Sequence, residues 1–107
     1  MKICVPSTGL DLNSQIDSRF GRCKYFIFVD SDNSNKYETV ENVSACAKGG
    51  AGVTAAKFVV DKGTKLVLVE SIGPKARAVL EAANVKIITG ATGKIKEVIE
   101  KYKKGHE

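Results

Sequence analysis

The sequence predicts a three-layer α/β domain: a five-stranded mixed sheet in which only the second strand runs antiparallel, with helices on both faces. Three observations lead there. At 107 residues the chain has the length of one domain, 1–107, around one core. Its first half carries an aromatic, β-branched run followed by turn residues and a second strand, the pattern of a hairpin. Its second half alternates helical and strand patterns, and the continuous run Leu66-Val67-Leu68-Val69 suits a strand covered on both faces of a parallel sheet.

Taken in order, Lys2 to Pro6 reads as a short apolar strand and Ser7 to Ser18 as a polar loop without period. Lys24 to Asp30 and Lys36 to Val43 read as the hairpin strands, joined through the turn-forming residues Ser31 to Asn35. The glycine-rich stretch Gly49-Gly50-Ala51-Gly52 opens a helix that reaches Lys62, carries Val53, Ala56 and Val60 on one face, and ends at Gly63. Lys65 to Glu70 is the strand expected at the centre of the sheet. After Gly73, Pro74 takes the favoured first helical position; Ala76, Val79, Leu80 and Ala83 face inward, and Asn84 stops the helix. Val85 to Ile88 is a further strand. Thr92 is the expected cap of a last helix striped by Ile95, Val98, Ile99 and Tyr102, with a tail that frays after Lys103.

Composition narrows the class. With 43% hydrophobic and 27% charged residues the chain reads as a soluble globular protein. No apolar run approaches the roughly 18 residues of a membrane span. The start at Met1 to Pro6 reads directly as a strand and not as a secretory leader, so a cytoplasmic location is expected. The three cysteines are then thiols. None is spaced C-x-x-C and the single histidine, His106, lies in the tail, which argues against a closed zinc site. The formal charge of +5 favours anionic partners, but Lys94, Lys96, Lys101, Lys103 and Lys104 gather on one helix with few aromatics between them, a solvated face more than a nucleic-acid patch.

Strand direction selects the site. The first, third, fourth and fifth strands end at one edge, where the second begins, and open α/β sheets bind ligands at that edge. The residues brought there are Arg19, Arg22, Cys23, Cys46, Gly49, Gly50, Gly52 and Gly73. Glycines before a helix let an anion approach unpartnered amides. Arginines can pair with it. Thiolates at Cys23 and Cys46, lowered in pKa by nearby cations and a helix start, could bind a soft metal. The bland readings stand beside these: glycines for turns and packing, solvated arginines, inert thiols. Cys4, inside the first strand, reads as a small buried hydrophobe.

Several segments together carry a resemblance. Lys2 to Pro6, Ser18-Arg19-Phe20-Gly21-Arg22-Cys23 leading into Tyr25-Phe26, Glu41-Asn42, the Gly49 to Gly52 stretch, and Ile72-Gly73-Pro74-Lys75-Ala76 followed by Ala82 to Lys86 are similar to the dinitrogenase iron-molybdenum cofactor family over almost the whole chain. Phe20-Gly21-Arg22 and Ile72-Gly73-Pro74, in this order and spacing, are the most specific parts. The resemblance implies a ribonuclease H-like α/β sandwich. It also implies a non-catalytic binding or carrier role for an iron-molybdenum or other iron-sulfur cluster, with cluster-assembly proteins as partners. Where some cofactor-carrying members have histidine before the glycine loop, this chain has Cys46, so the implied cargo is an anionic metal-sulfide cluster held by Cys46, Cys23 and loop amides.

The same residues admit other readings. A ribonuclease H-type nuclease needs a carboxylate on the first strand, and there is none. Gly50-x-Gly52-x-x-Ala55 with Glu70 partly matches a dinucleotide fingerprint, though the strand-to-glycine stretch is longer than its tight turn. A cysteine phosphatase loop would want arginine where Gly52 stands, and Gly90 to Ile95 lacks the Walker spacing. A nucleotide- or anion-binding module and a protein-interaction module therefore remain as alternatives, and the sequence leaves the oligomeric state open.

Overall fold

Alternation along the strands decides which side chains enter which layer. The computed structural model describes residues 1–43 and 50–105. Its elements are β1 (Lys2–Ser7), β2 (Tyr25–Asp30), β3 (Asn33–Glu41), α1 (Ala51–Asp61), β4 (Leu66–Leu68), α2 (Pro74–Ala82), β5 (Lys86–Ile88) and α3 (Ile95–Gly105). Cys4, Phe26, Phe28, Val67 and Val69 point to one face, where α1 and α2 cover them with Ala55, Ala56, Val59, Ala76 and Leu80. Ile3, Val5, Ile27, Val29, Leu66 and Leu68 point to the other, under Ile95, Val98 and Ile99 of α3.

The five strands lie in the order β3-β2-β1-β4-β5. Pairing of β2 with β1 and β3 is antiparallel, while β1 with β4 and β4 with β5 are parallel, so β2 alone opposes the rest as the patterning predicts. The middle position belongs to β1, whose Ile3, Cys4 and Val5 are fully buried; β4, expected there, stands beside it. No helix among the described residues is long and apolar enough to cross a membrane.

Three boundaries and one helix face depart from expectation. The hairpin turn is shorter and β3 starts at Asn33, because Asp30 pairs with Asn33 and its carboxylate accepts the Asp32 amide at 2.8 Å. At the other end β3 stops at Glu41, and Val43 is exposed. Helix α1 buries Ala51, Ala55, Ala56 and Val59 in place of the Val53, Ala56, Val60 face, since small side chains let the helix lie close to the sheet and to α2. Finally, α3 begins at Ile95, three residues past Thr92, and continues to Gly105. Its first amides need no hydroxyl cap: Ile95 N donates to Ser14 O at 3.0 Å and Lys96 N to Leu12 O at 2.9 Å.

Phe26 is the hub of the α1 side of the core, its ring centroid 5.5 Å from Phe20, 6.4 Å from Phe28 and 6.2 Å from Phe58. Truncating it removes both transfer energy and aromatic contacts. Phe26→Ala is expected to cost about 3–5 kcal/mol, against about 0.5 kcal/mol or less for Leu10→Ala on the surface, as read by urea denaturation at fixed pH. Similar losses for the two variants would mean that the Phe26 cluster does not organise this core.

Candidate functional site

The edge where β1, β3, β4 and β5 end carries a groove of about 540 Å³. Three segments build its walls: Ser18 to Gly21 before β2, the Gly50 to Val53 start of α1, and Ser71 to Ala76 leading into α2. Gly50 is the N-cap of α1 in the left-handed conformation, φ 68°, and Gly73 the N-cap of α2 in an extended one. Neither helix has a side-chain cap or an acidic residue in its first turn. The first-turn amides of a helix lack intrahelical partners and carry the positive end of its dipole. Both helix starts open on the same groove.

Charge follows the same sense. Among the described residues lining the groove, Arg19 and Lys75 are cationic and none is acidic. Buried Asp17 positions Arg19: its Oδ1 accepts the Arg19 amide at 2.9 Å and Arg19 Nε at 3.4 Å, while the Asp17 amide donates to Pro6 O at 2.9 Å. Arg19 thus forms an ion pair with Asp17 while its side chain remains 68% exposed. Ser71 Oγ donates to Ser18 O at 3.4 Å and ties two of the walls together.

The walls meet closely at Gly21. A Cβ there would stand 2.6 Å from Gly52 N and 2.7 Å from Gly52 Cα, so the loop before β2 lies against the backbone of α1 as only glycine allows. Behind this contact, buried Asn42 holds the loop from below. Its Nδ2 donates to the carbonyls of Gly21 at 3.1 Å and Cys23 at 2.9 Å, and its own amide donates to Lys24 O at 3.0 Å. Patterning does not single out Asn42 as part of the site, nor Gly21 and Lys75; the signal for the first is its place at the end of the hairpin, where one amide can serve two carbonyls.

Of the residues the sequence brings to this edge, Arg19, Gly50, Gly52 and Gly73 line the groove. Arg22 is exposed but outside the lining, and Cys46 and Gly49 lie outside the described residues. Cys23 corrects the expectation of a low-pKa thiolate. It is fully buried beneath the groove, in the cluster that holds Cys4, Phe20 and Phe26. Its Sγ donates to Phe20 O at 3.2 Å. Burial, and next the nearby Asp17, push its pKa up from 9.0 to about 12. Cys4 is pushed well above its ordinary value by burial and then by Cys23. No three His, Cys, Asp or Glu side chains among the described residues stand where they could hold a metal ion. A smaller cleft of about 260 Å³ on the α3 face, between Leu68, Thr89, Ala91 and Tyr102, contains none of the expected site residues.

Two outcomes follow from this geometry. Gly21→Ala must push a pair of backbone segments apart and is expected to cost about 1–3 kcal/mol of stability, whereas Gly73→Ala meets open space and leaves the denaturation midpoint nearly unchanged; equal midpoints for the two would remove the close-approach explanation. Folding also keeps both buried thiols protonated. A group whose pKa rises on folding leaves stability intact below its unfolded value and lowers it above, because the unfolded chain then releases a proton that the folded chain retains. Stability is expected to decline from pH 9.0 up to about 12 for Cys23, by about 1.4 kcal/mol per pH unit and thiol. Cys23→Ala removes one thiol's share of that slope, and an unchanged slope would show that the thiol ionises freely in the fold.

Comparison with known proteins gives this edge a context. Orange protein from Desulfovibrio gigas, solved in its apo form, superposes with a TM-score of 0.92 at 31% identity, over 97% of this chain and 88% of that one. A Thermotoga protein described as a candidate NifB protein superposes with a TM-score of 0.83 at 34% identity, over 97% and 88% of the two chains. An uncharacterized protein of Methanocaldococcus jannaschii is 32% identical over 108 residues, 98% of this chain and 87% of its own length. The family model described as dinitrogenase iron-molybdenum cofactor matches residues 1–105, and with the fold and the relatives in agreement the chain belongs to that family.

Proposed function

We propose that the protein is a non-catalytic carrier of an anionic metal-sulfide cluster, iron-molybdenum or iron-sulfur in type, which it receives from and delivers to cluster-assembly proteins. The observation that carries this reading is the pair of uncapped helix starts, α1 and α2, opening on one groove lined by Arg19 and Lys75 and, among the described residues, by no carboxylate. Such a groove favours an anion with several acceptor atoms, because amides of two helices, a guanidinium and an ammonium can each address a different one. Family membership points the same way.

The donor set shapes how the cargo would be held. The described thiols are both buried and protonated, so sulfur ligation from Cys23 is not part of the proposal. Cys46, from the segment outside the described residues, is the candidate thiolate; amides of α1 and α2 with Arg19 supply the rest through hydrogen bonds and charge. Gly50, Gly52 and Gly73 are there to keep the helix-start backbone open to the cargo, and Arg22 lies outside the groove lining.

The test is anaerobic reconstitution with iron and sulfide, with and without molybdate, reading absorbance and metal per chain. Wild type is expected to take up a stoichiometric cluster. Arg19→Ala and Cys46→Ala each lose most of it, Cys23→Ala keeps it, and Gly73→Phe, which adds bulk where a Cβ meets open space, blocks it while the fold persists by circular dichroism. No uptake by the wild type under either condition would overturn the carrier reading in favour of a nucleotide- or protein-binding module.

A further inference from the structure

The sheet ends on one side at β3, a strand of nine residues whose outer edge no described strand pairs with. An open edge of this length is a template for another strand, and proteins commonly guard it with charges that repel a copy. Here the charges do the opposite. Lys36 and Glu38 flank Tyr37, and all three are exposed. Phe28 pairs with Glu38 in the sheet, which puts Glu38 and Lys36 on the α1 and α2 face; Val29 pairs with Tyr37, which puts Tyr37 on the α3 face.

We propose that β3 pairs antiparallel with β3 of a second copy, in the register that sets Tyr37 opposite Tyr37. A two-fold axis normal to the sheet keeps each face on its own side, so the strand must be centred on a residue and slips one centre at a time. Centring on Tyr37 overlaps the full length Asn33–Glu41 and sets Lys36 opposite Glu38 twice. Centring on Lys36 or on Glu38 sets like charges directly opposite, which is unfavourable. Charge therefore selects the same register that full overlap does. Glu38 already pairs with Lys62 Nζ at 2.8 Å, and the second copy's lysine at position 36 would extend this into a row of alternating sign. On the other face the two Tyr37 rings, each 42% exposed, gain an aromatic partner. The grooves then lie at opposite ends of a continuous ten-stranded sheet, so this pairing is independent of the carrier function.

Sedimentation analysis of the full chain with reductant present, from micromolar into the millimolar range, tests it. Wild type is expected to dimerise reversibly. K36E places four acidic groups across the seam and E38K four basic ones, so each weakens self-association about tenfold or more, with unchanged circular dichroism. An equimolar mixture of the two variants restores association, since each then faces the opposite charge. A wild type that stays monomeric throughout, single variants that dimerise as well as wild type, or a mixture no tighter than its components would each overturn the proposal.

Discussion

At Gly21 two stretches of backbone lie so close that no side chain fits between them, and the geometry of the candidate edge hangs on that contact. The loop before β2 can touch the start of α1 only because position 21 lacks a Cβ. Helix α1 in turn meets α2 where a Cβ on Gly52 would make an ordinary 3.5 Å contact with Ala76. Asn42 completes the chain from the other side by fastening Gly21 and Cys23 to the end of the hairpin. The strand end, the loop and two helix starts are thus set by a few short-range contacts. A displacement at any of them is passed to the groove, because close-packed interiors transmit strain instead of absorbing it.

Much of this architecture is legible in the sequence, and the exceptions share a cause. Strand direction and pairing follow from the two-residue period and the continuous Leu66 to Val69 run, which are local signals. The limits of α2 follow from Pro74 at its start and from Asn84, which adopts φ 61° just beyond its end. Features that depend on distant partners are not legible. Thr92 looks like a cap until the carbonyls of Leu12 and Ser14 arrive to satisfy the same amides. The buried face of α1 is blurred because its alanines suit either side of a helix. Cys23 appears beside arginines in sequence, yet its surroundings in space are aromatic rings and a carboxylate. The candidate site is legible as an edge and as glycines, Arg19 and the Gly73-Pro74 start. Asn42, which shapes it from below, is not.

The two kinds of polar group at the edge have separate tasks. Asp17 and Asn42 are buried, 5% and 6% exposed, and direct their hydrogen bonds to the protein itself. Arg19 reaches outward, and the buried carboxylate fixes where its guanidinium begins. A buried group with its partners in place holds a loop at little cost, whereas an exposed one keeps the freedom to meet a partner. Cys23 belongs with the first set, as a thiol that fills space under the loop.

Three helices end their amino termini in two different ways. At α3 the amides of Ile95 and Lys96 are taken up by carbonyls of the loop after β1, whereas α1 and α2 have no side-chain cap. An anion that reaches one of these starts meets the positive end of one dipole. An ion broad enough to bridge both is bivalent, and its second contact is made at high effective concentration. In the carrier reading proposed above, preference among anions would then follow the number of helix starts that each one meets.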